Sequence, residues 1–379
     1  MSNNSRNNKL KWNYCPRCGK KLPETPKEIR FCPSCGLDYK TLQLFPSQQK
    51  MGAPSIQPVL KKKLADKEII NNTREFWRPK ASIFWPLISL VIMGQILGII
   101  LILIIFLGLI SLSYLNFIVS PLFLTISSLT ELVFMVVPIL YVGQYLQNAT
   151  LKNRFKFLGL YAKKEDKFFV LKETLLGIGF AIVSVIIVNL ISLLLELIFG
   201  PLLSISRIFP AQNPNSDVEL LGSSTNIFEI ILLSIIMIII IGPSEEIAFR
   251  GFMQRGLVRS YNKRTGIWIT AIIFSLIHIV TPLLDITISP LSSILSFIIL
   301  LIPYLLISLL LGYVFNWRNE NLIAPMITHG LYNALTVVMA YIFYNLPLPM
   351  LLIFFIIIVV ISLVSFLSYY FLKKQEKPV

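Results

Sequence analysis

The sequence predicts an all-α polytopic membrane protein of about eight transmembrane helices, preceded by a small four-cysteine zinc ribbon. Three observations predict it. Of 379 residues, 55% are hydrophobic and 14% charged, against roughly 45–50% and 25% in soluble domains. The apolar residues are clumped into runs near the length of about 20 that crosses a bilayer. All four cysteines sit in one polar N-terminal arm, as Cys15-Pro-Arg-Cys18-Gly and Cys32-Pro-Ser-Cys35-Gly. Together these exclude a soluble enzyme, a disordered chain and a disulfide-stapled secreted module.

The arm comes first. Two C-P-x-C-G knuckles separated by 13 residues offer four thiolates to one tetrahedral ion, and Gly19 and Gly36 permit the tight turns. Cys15, Cys18, Cys32 and Cys35 are therefore candidate ligands of a structural zinc; a redox pair or unpaired thiols are the other readings. Residues 1–45 cannot bury enough apolar surface to fold alone, so the metal would supply the folding energy. Metal-bound thiols require a reducing compartment, hence the cytosol. The opening MSNNSRNNKL is polar and basic and does not read as a signal peptide. Residues 46–80 read as a basic juxtamembrane linker, with Pro46, Pro54, Pro58, Lys61, Lys62 and Lys63, ending in Phe76-Trp77-Arg78. Residues 1–80 hold 17 Lys/Arg and six Asp/Glu, a net +11 of the chain's +15. Beside a membrane, that excess reads as an anchor against anionic lipid rather than a nucleic-acid site. The ribbon is a candidate docking module for a protein partner, a sensor of membrane proximity or a cap on the arm.

Residues 81–373 form the membrane domain, with expected spans over roughly 84–111, 121–146, 174–199, 226–249, 266–281, 292–315, 322–343 and 348–372. The fifth is short. Loop 147–172 carries seven Lys/Arg, loop 250–265 five, loop 316–321 Arg318, and the tail Lys373, Lys374 and Lys377. The alternate loops hold Arg207 alone. This alternation predicts eight spans with both termini in the cytosol.

Ionisable groups in lipid are costly, so each demands a partner or a task. The candidates are Glu131, Glu196, Glu229, Glu245, Glu246, Arg250, His278 and His329; Asp285 falls in the loop after span five. Glu246 and Arg250 are four apart, acid first, the favourable order for a helical ion pair. That pair would leave Glu245, about 100° round the helix, facing elsewhere. Pro243 removes a backbone donor beside the acids and can kink the helix. His329 and Asn333 share a helix face one turn apart. At 1.5 Å per residue, His278 and His329 lie roughly 18 and 11 Å in from the cytosolic starts of their spans, and Glu245 also falls in the cytosolic half. A carboxylate beside a histidine can deprotonate water, while a second histidine and an amide can donate to a tetrahedral oxyanion. These are the parts for amide hydrolysis without a covalent intermediate. Other designs fit less well: the two histidines are 51 positions apart rather than in HExxH, there is no pair of membrane aspartates, and Ser244 sits in Gly-Pro-Ser-Glu rather than GxSG.

The motifs EExxxR (Glu245-Glu246 with Arg250), FxxxH (Phe274 with His278) and HxxxN (His329 with Asn333) occur in this order. They resemble those of the CAAX protease and bacteriocin-processing (CPBP) family of intramembrane glutamic endopeptidases, also called type II CAAX prenyl proteases or the Abi family. The surrounding Glu-Glu-Ile-Ala-Phe-Arg-Gly-Phe is similar too, and the resemblance covers roughly residues 225–340. It implies that Glu245 and His278 activate the water, that His329 and Asn333 form the oxyanion hole, and that Glu246, Arg250 and Phe274 support the site. It implies no catalytic metal. Its eukaryotic branch implies cleavage after a prenylated cysteine with release of a C-terminal tripeptide; some prokaryotic members are linked to bacteriocin immunity. The expected function is thus an intramembrane, metal-independent endopeptidase acting on a membrane-associated peptide or protein, in contact with membrane lipid and not with nucleic acid. The alternatives are a non-catalytic scaffold or bacteriocin-immunity factor, a metal held by Glu245, His278 and His329, or a proton-coupled transporter using Glu131, Glu196 and the histidines. Against the transporter, the two halves show no internal repeat.

Overall fold

The computed structural model describes residues 77–106, 120–163, 165–206, 226–279 and 290–375. Cys15, Cys18, Cys32 and Cys35, the linker up to residue 76, Arg207 and Asp285 lie outside the described residues.

Every described element is helical, and polar caps set where the helices begin. The first helix, α1, is Pro79–Phe106. The second span, Pro121–Tyr145, starts where Ser120 accepts a hydrogen bond from the Phe123 amide and Pro121 takes the first turn. It comprises α2 Pro121–Ser128, a 3-10 turn Leu129–Glu131 and α3 Leu132–Val142. A short amphipathic helix, α4 Leu151–Leu158, is capped by Thr150 and ended by Gly159 at φ +110°, a left-handed conformation open to glycine at little cost. Then come α5 Phe169–Ser206 and α6 Ile227–Ile236. A π-turn Met237–Ile241 leads into α7 Gly242–Glu246, a second π-turn Ile247–Gln254 and α8 Arg255–Ser260. Asn262 caps α9 Lys263–His278. The chain closes with α10 Pro290–Trp317, α11 Ile323–Asn345 and α12 Leu348–Lys374.

Seven of these segments are long and apolar enough to cross a membrane: Pro79–Ile104, Pro121–Tyr145, Phe169–Phe199, Ile227–Ser260, Ser293–Trp317, Ile323–Phe343 and Pro349–Lys374. This is a multi-pass membrane protein, but among the described residues the expected eight spans reduce to seven. The fifth candidate fails on length. α9 has 16 residues, about 24 Å of helix against the roughly 30 Å of a hydrocarbon core. The fourth span, in turn, continues past its expected end at 249 to Ser260, because the π-turns carry the helix through the acidic pair instead of ending it there.

Aromatic and ionic contacts gather one set of helix ends. Trp77, just before α1, stacks on Phe252 at 4.6 Å and meets Tyr145 edge-on at 5.9 Å. Arg318, after α10, reaches both carboxylate oxygens of Glu173 at 3.0 Å and the Tyr369 hydroxyl at 3.0 Å. Glu320 accepts from Arg255 at 2.7 Å and Arg259 at 2.9 Å. Burial opposes the charge on Glu320, but the two arginines outweigh it and hold the carboxyl below its ordinary range. Asn319 and Glu320 both adopt positive φ, 57° and 59°, held by these arginines and by the Tyr161 hydroxyl on the Asn319 carbonyl at 3.1 Å. The starts of α1 and α5 and the ends of α3, α8, α10 and α12 therefore share one end of the bundle. Exposed Ile99, Ile102, Leu197, Ile356 and Leu363 provide an apolar exterior suited to lipid.

Candidate active site

The site is built where α7 and the second π-turn meet α3, α9, α10 and α11. The first requirement is close approach. A Cβ placed on Gly242 would lie 2.7 Å from the Gly330 amide nitrogen, and one on Gly330 would lie 2.8 Å from the Ile238 Cα. The fourth span and α11 thus touch backbone to backbone, which only glycine allows at this separation. Gly330 directly follows His329, so the contact carries that imidazole to the two glutamates. Pro243, lacking an N–H, follows the first π-turn, and π-turns shift the azimuth of the residues after them.

Glu246 and Arg250 are both fully buried and paired at 2.7 Å. Arg250 also donates to the Ser308 hydroxyl at 2.9 Å and the Ser308 carbonyl at 3.3 Å. The same Glu246 Oε1 that accepts from Arg250 accepts from His329 Nδ1 at 2.8 Å. On the other side, His278 Nδ1 lies 2.7 Å from the Phe274 carbonyl. A carbonyl can only accept, so Nδ1 carries the hydrogen. Both rings therefore turn Nε2 toward Glu245: His278 Nε2 is 3.7 Å from Oε1, and His329 Nε2 is 3.6 Å from Oε2. These gaps exceed a direct hydrogen bond and suit a water bonded to both partners. Glu245 and His329 are buried, while a quarter of the His278 side chain is accessible, which leaves an approach on that side.

Phe274 forms the wall. Its ring lies 4.5 Å from the Arg250 guanidinium, 4.4 Å from His278 and 5.6 Å from His329, so the cation–π contact adds to the burial of Arg250. The structure thus brings Glu245, Glu246, Arg250, Phe274, His278 and His329 together. Asn333 sits half-buried one turn along α11, about 6 Å of rise from His329. Glu229 lies far from this set, in the first turn of α6, where Asn226 donates to it at 2.9 Å. Two participants carry no spacing signal: Ser308, which holds Arg250, and Tyr304, whose ring stacks on His278 at 5.1 Å; Glu131 lies on the 3-10 turn that packs against the first π-turn. Among the described residues no group of three or more His, Cys, Asp or Glu is arranged to hold a metal ion.

No curated protein and no solved structure matches the chain. Residues 227–335 match the family model described as Type II CAAX prenyl endopeptidase Rce1-like. The matched stretch contains all three motifs, supports the CPBP resemblance and, at family level, supports a membrane-bound protease.

Proposed function

We propose that the protein is an intramembrane endopeptidase that cleaves a membrane-associated peptide or protein with water activated by Glu245 and His278. The observation that carries this reading is the placement of one buried carboxylate between two imidazole Nε2 atoms at 3.7 and 3.6 Å. Glu245 removes a proton from the water as its oxygen attacks the scissile carbonyl carbon, and the carbonyl electron pair moves onto oxygen. His329 and Asn333 donate to that oxyanion. Because His329 Nδ1 already donates to Glu246, the ring donates from Nε2 only as imidazolium; Glu246 is its counter-ion, and Arg250 fixes Glu246. Collapse breaks the C–N bond, and the amine leaves with the proton that Glu245 accepted. The CAAX-type match favours a C-terminal segment next to a prenylated cysteine as substrate.

The shared bundle end carries Lys152, Arg154, Lys156, Lys163, Lys167, Arg255, Arg259, Lys263, Arg264, Arg318, Lys373 and Lys374. That concentration supports placing this end and both termini in the cytosol, with α9, although too short for the count of seven, taken as an eighth crossing. Cys15, Cys18, Cys32 and Cys35 complete the reading as a zinc ribbon ahead of the protease domain.

The test is comparative proteomics of membranes from wild-type and Glu245→Gln cells, beside cleavage of a farnesylated CAAX reporter peptide by purified protein. Uncut precursors accumulating in the variant, with cleavage lowered by about 10²–10⁴-fold, is the expected result. Equal membrane proteomes and equal cleavage would support the scaffold instead.

A further inference from the structure

Tyr304, in α10, belongs to none of the three motifs, yet its ring stacks on His278 with centroids 5.1 Å apart and an interplanar angle of 28°. Phe274 lies against the same imidazole from one turn back on α9, at 4.4 Å and 32°. His278 thus meets two rings, one from its own helix and one from α10, which packs along α9.

The position of Tyr304 is set by its neighbours on α10. Tyr304, Ser308 and Gly312 recur every four residues and share one helix face. Each meets a partner across that face. Tyr304 meets His278, the Ser308 hydroxyl accepts from Arg250 at 2.9 Å, and the Gly312 carbonyl accepts from Gln254 Nε2 at 3.0 Å. Arg250 and Gln254 are themselves four apart in the second π-turn, and both are buried. A Cβ on Gly312 would come within 2.8 Å of Gln254 Oε1, so the glycine makes room for the second anchor. Two buried polar anchors one turn apart fix the rotation of α10. Pro303, directly before Tyr304, removes a backbone N–H from the helix. Tyr304 is therefore the first residue on the anchored side of that break.

The two imidazoles differ in what holds them. His329 is buried, and its Nδ1 donates at 2.8 Å to Glu246, a carboxylate that Arg250 fixes in turn. His278 Nδ1 donates instead to a backbone carbonyl, and a quarter of its side chain is accessible. A hydrogen bond at one nitrogen fixes the tautomer, but the terminal torsion of a histidine ring is broad. The ring can swing about that bond and carry Nε2 off line. A ring stacked on the imidazole opposes the swing, because tilting drives one plane into the other and loses the stacking contact.

We propose that Tyr304 is the positioning residue of His278, its ring confining the imidazole so that Nε2 stays turned toward Glu245. The proposal rests on the endopeptidase reading above. Tyr304 acts through His278 and takes no proton itself. The aromatic ring is what the role requires, so phenylalanine can serve at 304 and an aliphatic side chain cannot.

Two readouts on the purified full chain in lipid vesicles test this, with Tyr304→Leu and Tyr304→Met as ringless variants and Tyr304→Phe as the conservative one. With the farnesylated reporter, the ringless variants lower kcat by about tenfold at unchanged KM, and Tyr304→Phe restores it. The second readout needs no substrate. The chain has two histidines, so magnetic-resonance spectra of protein carrying isotope-labelled histidine hold two rings, told apart by His278→Gln. The Nδ1–H signal of His278 is sharp in the wild type and in Tyr304→Phe and broadens in both ringless variants, while that of His329 stays sharp. A folded ringless protein whose His278 signal matches the wild type overturns the proposal. So does a Tyr304→Phe protein that loses as much kcat as the ringless ones, since the role would then belong to the hydroxyl. If no protein cleaves the reporter but the His278 signal follows the ring at 304, the endopeptidase reading fails while the positioning contact stands.

Discussion

Gly330→Ala tests the contact that assembles the site. The added Cβ would meet the Ile238 Cα at 2.8 Å, the Met237 carbonyl oxygen at 2.9 Å and the Ile238 carbonyl oxygen at 3.1 Å. All three are backbone atoms, so no rotamer change relieves the overlap. Restoring ordinary contact at about 3.5–4.0 Å requires the fourth span and α11 to separate by about 1 Å. Overpacking of this kind costs about 1–3 kcal/mol. The separation also stretches the 2.8 Å bond from His329 to Glu246 and the 3.6 Å approach to Glu245, and a 1 Å misplacement can cost about 10²-fold in rate. The control is Gly98→Ala in α1, where a Cβ meets nothing within 4 Å and helix propensity alone adds up to about 1 kcal/mol. Thermal unfolding in detergent and cleavage of the farnesylated reporter give the two measurements. A Gly330→Ala protein that melts and cleaves like Gly98→Ala would refute the argument that this backbone contact positions His329.

Arg250→Ala removes the guanidinium paired at 2.7 Å with the fully buried Glu246, so unfolding stability falls by about 3–5 kcal/mol; a loss near that of an ordinary surface substitution in thermal melts would contradict the pairing. Glu320, held below its ordinary carboxyl range by Arg255 and Arg259, contributes stability above its unfolded value near 4.5 that is lost as pH falls through its lower folded value. Glu320→Gln therefore flattens the acid limb of the melting-temperature profile, by less than about 1 kcal/mol at this partly exposed site; an unaltered limb counts against the clamp. Replacing Cys15 and Cys18 together by Ser should reduce bound zinc from one per chain to none by elemental analysis of the purified protein, and equal zinc in both would remove the ribbon.

The legible part of the sequence is the part that runs along single helices. Hydropathy located all seven long spans, because about 20 apolar residues have few other stable settings. Spacing of four placed Arg250 to reach Glu246, and the fixed 100° step placed Glu245 off that axis. Azimuth between helices was not legible. Nothing in Ser308 or Tyr304 as letters says which neighbour each faces, since both sit in apolar runs that admit any rotation. The two π-turns compound this by rotating the residues after them, and the Gly242-Pro243 step is the only local mark of the first. The fifth span, short in the sequence as in the structure, reads as 266–281, whereas α9 is Lys263–His278 and ends at the imidazole that faces Glu245.

That short helix clarifies how so much polarity is tolerated in the membrane. A buried ion pair rarely stabilises a fold by itself, because desolvation offsets attraction; here the polar side chains are oriented in series, although Arg250 Nε and Glu246 Oε2 make no hydrogen bond. Ser308 and Phe274 lie at the two ends of the series, one accepting from Arg250 and the other from His278 Nδ1. Glu246 Oε1 joins Arg250 to His329. With both Nδ1 atoms engaged outward, both Nε2 atoms point inward to one carboxylate. A series whose only purpose was cohesion would close that last step with direct hydrogen bonds, as it does at its four other links, 2.7–2.9 Å long. The wider spacing around Glu245 falls where a reacting water has to enter, and where one imidazole remains a quarter accessible.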